Sequence, residues 1–223
     1  MFFSKKITFI KPLDRVLEIG PGASPHPRSD EFLEFAFDTE QERVSQRGDV
    51  IVPPRFRGRP VYYYSGDRFP FEDGRFDYVI CSHVLEHVAD PELFLREIFR
   101  VGKGCGYLEY PLIPYEYMYD FDVHRQFIKF DPQSWVLRYL PKTETSLSEF
   151  RAVSTLFRRM LQYRWDDLCA ANKQVFFEGF EFYRPFAVEK ATNISQLTPL
   201  EESLVPKKLI RRIVGQVCNR LGL

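Results

Sequence analysis

Apolar and polar positions along this chain change period several times, and each change marks an element. Val16 to Ile19 is an apolar run broken only by Glu18, and it passes directly into Gly20-Pro21-Gly22. Turn chemistry of that kind ends a buried strand. A second apolar run, LEFAFD, closes on Asp38, and Phe76 to Cys81 reads as another buried strand. The period then becomes helical: in DPELFLREIFRV, Leu93, Phe94, Ile98 and Val101 share one face, with Asp90 as N-cap and Pro91 in the first helical position. Gly102, Gly104 and Gly106 stop this helix, and YLEY returns to strand. Strand, helix and strand in this order predict a right-handed parallel crossover, which brings Ser82 to His87 to the same sheet edge as the glycine turn. Further on, SLSEFRAVSTLFRRMLQ reads as an amphipathic helix suited to a lid, and QVFFEGFEFYRPFAVEK as two strands around Gly179. Leu204 to Leu223 reads as a basic amphipathic helix.

Composition narrows the picture. With 223 residues, 44% of them hydrophobic and 16% aromatic, the chain can bury one substantial core, and its length favours one domain. Lys and Arg (31) balance Asp and Glu (31), so there is no general electrostatic footprint for nucleic acid. The balance hides an asymmetry, because the last twenty residues carry Lys207, Lys208, Arg211, Arg212 and Arg220 with no acid. Such a helix suits either an anionic membrane surface or packing on the protein or a second subunit, as in a homodimer. Cys81, Cys105, Cys169 and Cys218 are scattered without CxxC spacing, the pattern of free thiols rather than a disulfide framework or cysteine-bound metal. No run is apolar enough to span a bilayer, and MFFSKKITFIKPLD has no signal-peptide core, which leads to an expectation of a cytoplasmic enzyme, peripheral at the membrane if the basic helix docks there.

The glycine turn carries the first chemistry. Without a Cβ, Gly20 and Gly22 allow positive φ and close approach of a ligand to the backbone. Glu18, delivered to the turn by its strand, can accept from a ribose hydroxyl or an ammonium group. A dinucleotide pyrophosphate would want a third glycine and a nearby helix N-terminus, yet Pro25 stands there and ASPHPRSD delays any helix. The turn therefore favours a phosphate-free nucleoside cofactor over the NAD of a dehydrogenase, although a purely structural Gly-Pro-Gly turn has the same letters. Asp38, twenty residues after Glu18, sits at ribose-binding spacing or begins a solvated turn.

Together, VLEIGPG, Asp38 and FPFEDGRFDYVICSHVLEHVADP resemble the class I S-adenosylmethionine-dependent methyltransferases, particularly the small-molecule type with an LPF-x-D-x-x-FD pattern, over residues 14 to 111. The resemblance implies an α/β fold: a Rossmann-like, seven-stranded, mostly parallel sheet with helices on both faces and a C-terminal antiparallel strand. It implies S-adenosyl-L-methionine as cofactor, with Glu18, Gly20 and Gly22 at its methionine end, Asp38 on the ribose, Asp67 at the adenine amino group, and Ser82 and His83 beside the sulfonium. SGDRFPF is about two residues shorter than the usual spacing at that point. Methylases of base amino groups carry an Asn- or Asp-Pro-Pro-aromatic turn after the fourth strand, and CSHV offers none, a second argument against a nucleic-acid substrate.

The resulting organisation is a single domain, 1–223, with a cofactor-binding core at 14–111, a substrate or lid insertion at 112–162 and the basic helix at 204–223. In the insertion, Tyr115 and Tyr117 offer flat faces and hydroxyls for a sugar ring or aromatic acceptor, Asp122 and His124 can take a proton, and Arg125 can hold an anion. The same aromatic passage could instead cap the core. The expected reaction is methyl transfer to oxygen, less readily to nitrogen, of a small molecule or glycan, with His83 or His124 as base; a structural role for His83 stays open. A non-catalytic relative of the same fold is the alternative. A third reading takes His83 to His87 as HxxEH, an inverted zinc-peptidase signature needing a helix through both histidines. Strand and N-cap leave too little room for that helix, so no metal is expected.

Overall fold

The computed structural model describes residues 1–47, 55–163 and 165–198. The proposed basic helix at 204–223 lies outside the described residues. In chain order the elements are β1 (Val16–Ile19), β2 (Glu31–Phe35), α1 (Glu40–Arg47), β3 (Val61–Tyr64), β4 (Tyr78–Ser82), α2 (Pro91–Val101) and β5 (Gly106–Pro111). There follow α3 (Ile113–Tyr119), β6 (Gln126–Asp131), β7 (Val136–Pro141), α4 (Arg151–Met160), α5 (Trp165–Ala171), α6 (Lys173–Phe176), β8 (Phe177–Phe182) and β9 (Ala187–Lys190).

Five parallel strands and one antiparallel strand make the central sheet, ordered β3-β2-β1-β4-β5-β8, with β8 antiparallel to β5. The order reverses at β1, so the crevice outside the carboxyl ends of β1 and β4 is where an open sheet of this kind takes a ligand. Residues alternate between two faces. Leu17, Ile19, Val79, Cys81 and Leu108 face α2, whose Phe94, Leu95, Ile98 and Val101 complete one core. Val16, Tyr78, Ile80 and Tyr107 face the other way and are covered by Ile7 and Ile10. A segment outside regular helix thus does on that side what a helix would do, and the expectation of helices on both faces is met only in part.

The seven-strand expectation is corrected here. Gly179 lies inside β8 rather than between two strands, and a Cβ on it would sit 2.2 Å from the Tyr107 hydroxyl oxygen. The glycine lets β8 pass a buried tyrosine instead of separating two strands. The strand that would have been seventh, β9, leaves for a second sheet ordered β6-β7-β9. That sheet begins as a hairpin: Asp131 accepts from the Gln133 amide at 2.9 Å and from Ser134 Oγ at 2.6 Å, closing the turn into β7. Its inner residues Ile128, Phe130, Leu137 and Tyr139 join the α2 core, with Phe130 stacked on Phe180 at 3.9 Å between ring centres. Insertion 112–162 is therefore mostly ordered secondary structure rather than an exposed aromatic loop.

The α2 prediction holds in detail, since Asp90 Oδ1 accepts from the Leu93 amide at 3.0 Å and Pro91 opens the helix. Cys81, Cys105 and Cys169 form no disulfide among the described residues. Among the described residues, no helix is long and apolar enough to cross a membrane.

Candidate active site

A cavity of about 880 Å³ opens at the carboxyl ends of β1, β2 and β4. Gly20 (φ +60°) and Gly22 (φ +56°) form one wall. The Gly20 amide donates to the Leu33 carbonyl at 2.9 Å, and a Cβ on Gly20 would fall 2.5 Å from Val84 Cγ2. Backbone conformation and the close approach of the β4 turn both exclude a side chain there. Beside Gly22 nothing lies within 4 Å of where a Cβ would be, which leaves the cavity open to a ligand against the main chain.

Glu18 is buried, lines the cavity and also braces its wall. Its Oε2 accepts from the His26 amide at 2.8 Å and from Ser29 Oγ at 2.6 Å. Burial raises its carboxyl above the ordinary carboxylate range despite these bonds. Asp67 and Ser82 line the cavity as expected, but Asp38 does not. It is exposed, three residues beyond the end of β2. The acid delivered to the cavity by β2 is Glu34, buried in the strand itself. The twenty-residue spacing assumes a helix between the strands, and here only a short loop joins β1 to β2, so the strand ends earlier.

His83 ends β4 at φ +56°, an uncommon conformation for a side-chain-bearing residue, and its amide donates to the Glu109 carbonyl at 2.8 Å. Its Nε2 lies 2.9 Å from Glu109 Oε1 and its Nδ1 3.4 Å from Glu86 Oε1. Burial alone would discharge this imidazole, but the hydrogen bond to Glu109 and the charges of Glu86 and Glu109 outweigh it and push its pKa up to about 9. An imidazolium has no lone pair for a proton, so near neutral pH the geometry does not support His83 as base. Glu109 is the hub that sequence reasoning missed. Besides His83 it accepts from Ser82 Oγ at 3.1 Å, from the amides of Phe2 (2.6 Å) and Phe3 (3.0 Å), and from the Tyr107 hydroxyl. These donors overcome desolvation and hold its carboxyl at about 2. The signal was available in YLEY, an acid inside an otherwise apolar strand, which needs buried partners.

His87 and His124 also line the cavity, with ring centres 4.7 Å apart. His87 belongs to a short 3-10 turn, Leu85–His87, and its Nδ1 is 3.0 Å from Gln46 Oε1. Burial is the main cause that lowers the pKa of His87. His124 Nδ1 is 2.7 Å from Glu116 Oε1, while Lys142 Nζ donates to Glu116 Oε2 at 3.0 Å. The start of β6 fixes this meeting, because the Arg125 amide donates to the Glu86 carbonyl at 2.6 Å and Gln126 Nε2 to the Val88 carbonyl at 3.1 Å.

Of the acceptor residues expected from sequence, Tyr115 and Arg125 line the cavity; Tyr117 and Asp122 do not. Tyr117 stacks on Phe127 in a separate small core, and Asp122 pairs at the surface with Arg151 at 2.7 Å. Residues 113–119 form a helix, so alternate tyrosines point apart instead of lining one loop. The HxxEH peptidase reading fails on the same kind of ground. His83 ends a strand and bonds Glu109, His87 follows in a 3-10 turn, and no helix presents both on one face.

Residues 36–109 match the family model described as a methyltransferase domain. The match spans α1, β3, β4, α2 and most of β5, and includes the His83 turn. An uncharacterized methyltransferase of Schizosaccharomyces pombe is 28% identical over 118 residues, covering 46% of this chain and 41% of that protein. The chain thus spans about two-fifths of the length of this curated relative. Among solved structures, a SAM-dependent methyltransferase from Thermotoga maritima is 25% identical, with a TM-score of 0.34 over 49% of each chain. A Bacillus halodurans protein described as a methyltransferase is 23% identical, with a TM-score of 0.36 over 53% of each chain.

Proposed function

We propose that this chain is an S-adenosylmethionine-dependent methyltransferase acting on an oxygen of a small molecule or glycan. The observation that carries the reading is one cavity with two chemically different ends: a glycine turn with buried acids at one, and a pair of histidines with Tyr115 and Arg125 at the other. The methyltransferase-domain match over residues 36–109 supports it.

The cavity suits the cofactor. Gly20 and Gly22 expose main chain to it, and Glu34 and Glu18 put carboxylates where hydroxyl and ammonium groups need acceptors. Asp67 lies at the rim, positioned for the adenine amino group. S-adenosylmethionine supplies a methyl carbon made electrophilic by the adjacent sulfonium. The protein's contribution is alignment at roughly 3 to 3.5 Å and exclusion of water, so few side chains need act chemically.

His83 serves as a fixed cation that locks the β4 turn to β5 through Glu109 and so sets the position of Ser82 and Val84. Proton acceptance falls to His124, whose ring Glu116 orients through Nδ1, leaving Nε2 with the lone pair. Arg125 and the Tyr115 ring provide an anion contact and a flat wall for the acceptor. His124→Ala and His124→Gln should reduce turnover about 100-fold or more with cofactor affinity within about twofold of wild type. Unchanged turnover removes His124 as the base, and failure of the wild-type chain to bind either S-adenosylmethionine or S-adenosylhomocysteine removes the whole reading.

A further inference from the structure

Glu86 is 1% exposed, and neither carboxylate oxygen has a hydrogen-bond partner. Its nearest charge is His83 Nδ1, at 3.4 Å from Oε1. A buried carboxylate whose oxygens accept no hydrogen bonds is uncommon in a folded protein and marks a place where a partner is missing. The ion pair with His83 meets its charge, while the hydrogen-bonding capacity of both oxygens stays unused and open to a ligand. Around it, Glu86, His87 and His124 each offer a ligand atom, and these atoms lie within 4.8 Å of one another, the one such grouping among the described residues.

We infer that Glu86, His87 and His124 form a site for a divalent transition-metal ion inside the acceptor end of the cavity. Two further observations fit it. Both imidazoles have Nδ1 engaged by an oxygen outside the trio, Gln46 Oε1 for His87 and Glu116 Oε1 for His124. Bonds of this type hold Nδ1 as the protonated nitrogen and leave the lone pair on Nε2, the form in which a histidine ligates. Two imidazoles and a carboxylate make a mixed N/O donor set suited to zinc, cobalt, iron or manganese, with coordination positions left open toward the cavity.

The consequence for chemistry rests on the methyl-transfer reading, whereas the site itself does not. An acceptor hydroxyl held by the ion loses its proton to water at lower pH; its oxygen then forms the bond to the methyl carbon as the carbon–sulfur bond breaks and sulfur keeps the electron pair. With the ion bound the two histidines ligate and the proton passes to water; without it His124 Nε2 remains the proton acceptor.

The test uses the full chain, stripped with chelator and kept free of S-adenosylmethionine, titrated with Co²⁺ by visible absorption and with Zn²⁺ by calorimetry. One saturable ion per chain is expected, with affinity at least about 100-fold weaker in His124→Ala and Glu86→Gln, and about 10- to 100-fold weaker in Glu116→Gln. Far-UV circular dichroism on each variant separates loss of ligand from loss of fold, and His87→Ala supplies a second ligand deletion if Glu86→Gln does not fold. No saturable binding by the wild-type chain overturns the site, as does wild-type affinity in folded His124→Ala and His87→Ala. S-adenosylmethionine binding is measured separately, so either reading can fail without the other.

Discussion

The two ends of the cavity are built by different means. The cofactor end is local: Gly20, Gly22, Glu18 and Glu34 come from one strand-turn-strand unit, and the backbone itself forms the wall. The acceptor end is assembled from distant segments, with His87 from the β4–α2 connection, Gln46 from α1, and His124 and Glu116 flanking the approach to β6. A local unit announces itself in sequence through glycines and period, while an assembled one depends on pairings that no short window contains.

Substitutions can sharpen this contrast. The largest stability effect is expected at Glu109, which bonds His83, Ser82 and the Phe2–Phe3 amides. Glu109→Ala leaves those buried donors unpaired and should cost about 3 to 5 kcal/mol, read by denaturant titration. The same residue sets an acid dependence. Its folded carboxyl sits at about 2, below the ordinary 4.5, so its stabilisation is fully present above the ordinary value and is lost as pH falls toward 2. The acid limb of the stability profile of a folded Glu109→Gln variant should accordingly be shallower than that of wild type across this interval.

Gly20→Ala comes next. The positive φ alone costs about 1 to 2 kcal/mol, and the contact with Val84 adds to it. Cofactor affinity should fall at least about 10-fold, measured by calorimetry, while cobalt binding at the other end stays within about twofold of wild type. Smaller still is the split between the two acids near β2: Glu34→Gln should weaken S-adenosylmethionine about 10-fold, and Asp38→Asn about twofold or less. Asp122→Ala, which removes only exposed ion pairs to Arg151 and Arg158, should change stability by less than about 1 kcal/mol and leave turnover unchanged.

What could be read from the sequence follows the same division. The α2 helix was legible to its N-cap because Asp90-Pro91 and the apolar face act locally. The glycine turn was legible because φ > 0 demands glycine. Asp38 falls outside the cavity lining because ribose spacing presumes a helix, and the β1–β2 connection here has none. The sheet was expected to have one strand more, because nothing in FAVEK states that β9 pairs with β7 instead of β8. Glu109 and Glu116 were visible as acids within apolar runs, yet their partners lie tens of residues away, and burial of an acid becomes meaningful only with those partners present. His83 shows the limit most clearly. Its motif placed it correctly beside the cavity, but its charge is set by two glutamates, and that charge decides which role it can play.

The central claim is that the glycine-walled end of the cavity binds S-adenosylmethionine. Calorimetric titration of the full chain with S-adenosylmethionine and S-adenosylhomocysteine, alongside Gly20→Ala, tests it most directly. The account predicts saturable binding of both compounds at one site per chain, weakened at least about 10-fold in the folded variant. Absence of heat with the wild-type chain for both, or wild-type affinity in Gly20→Ala, would contradict it.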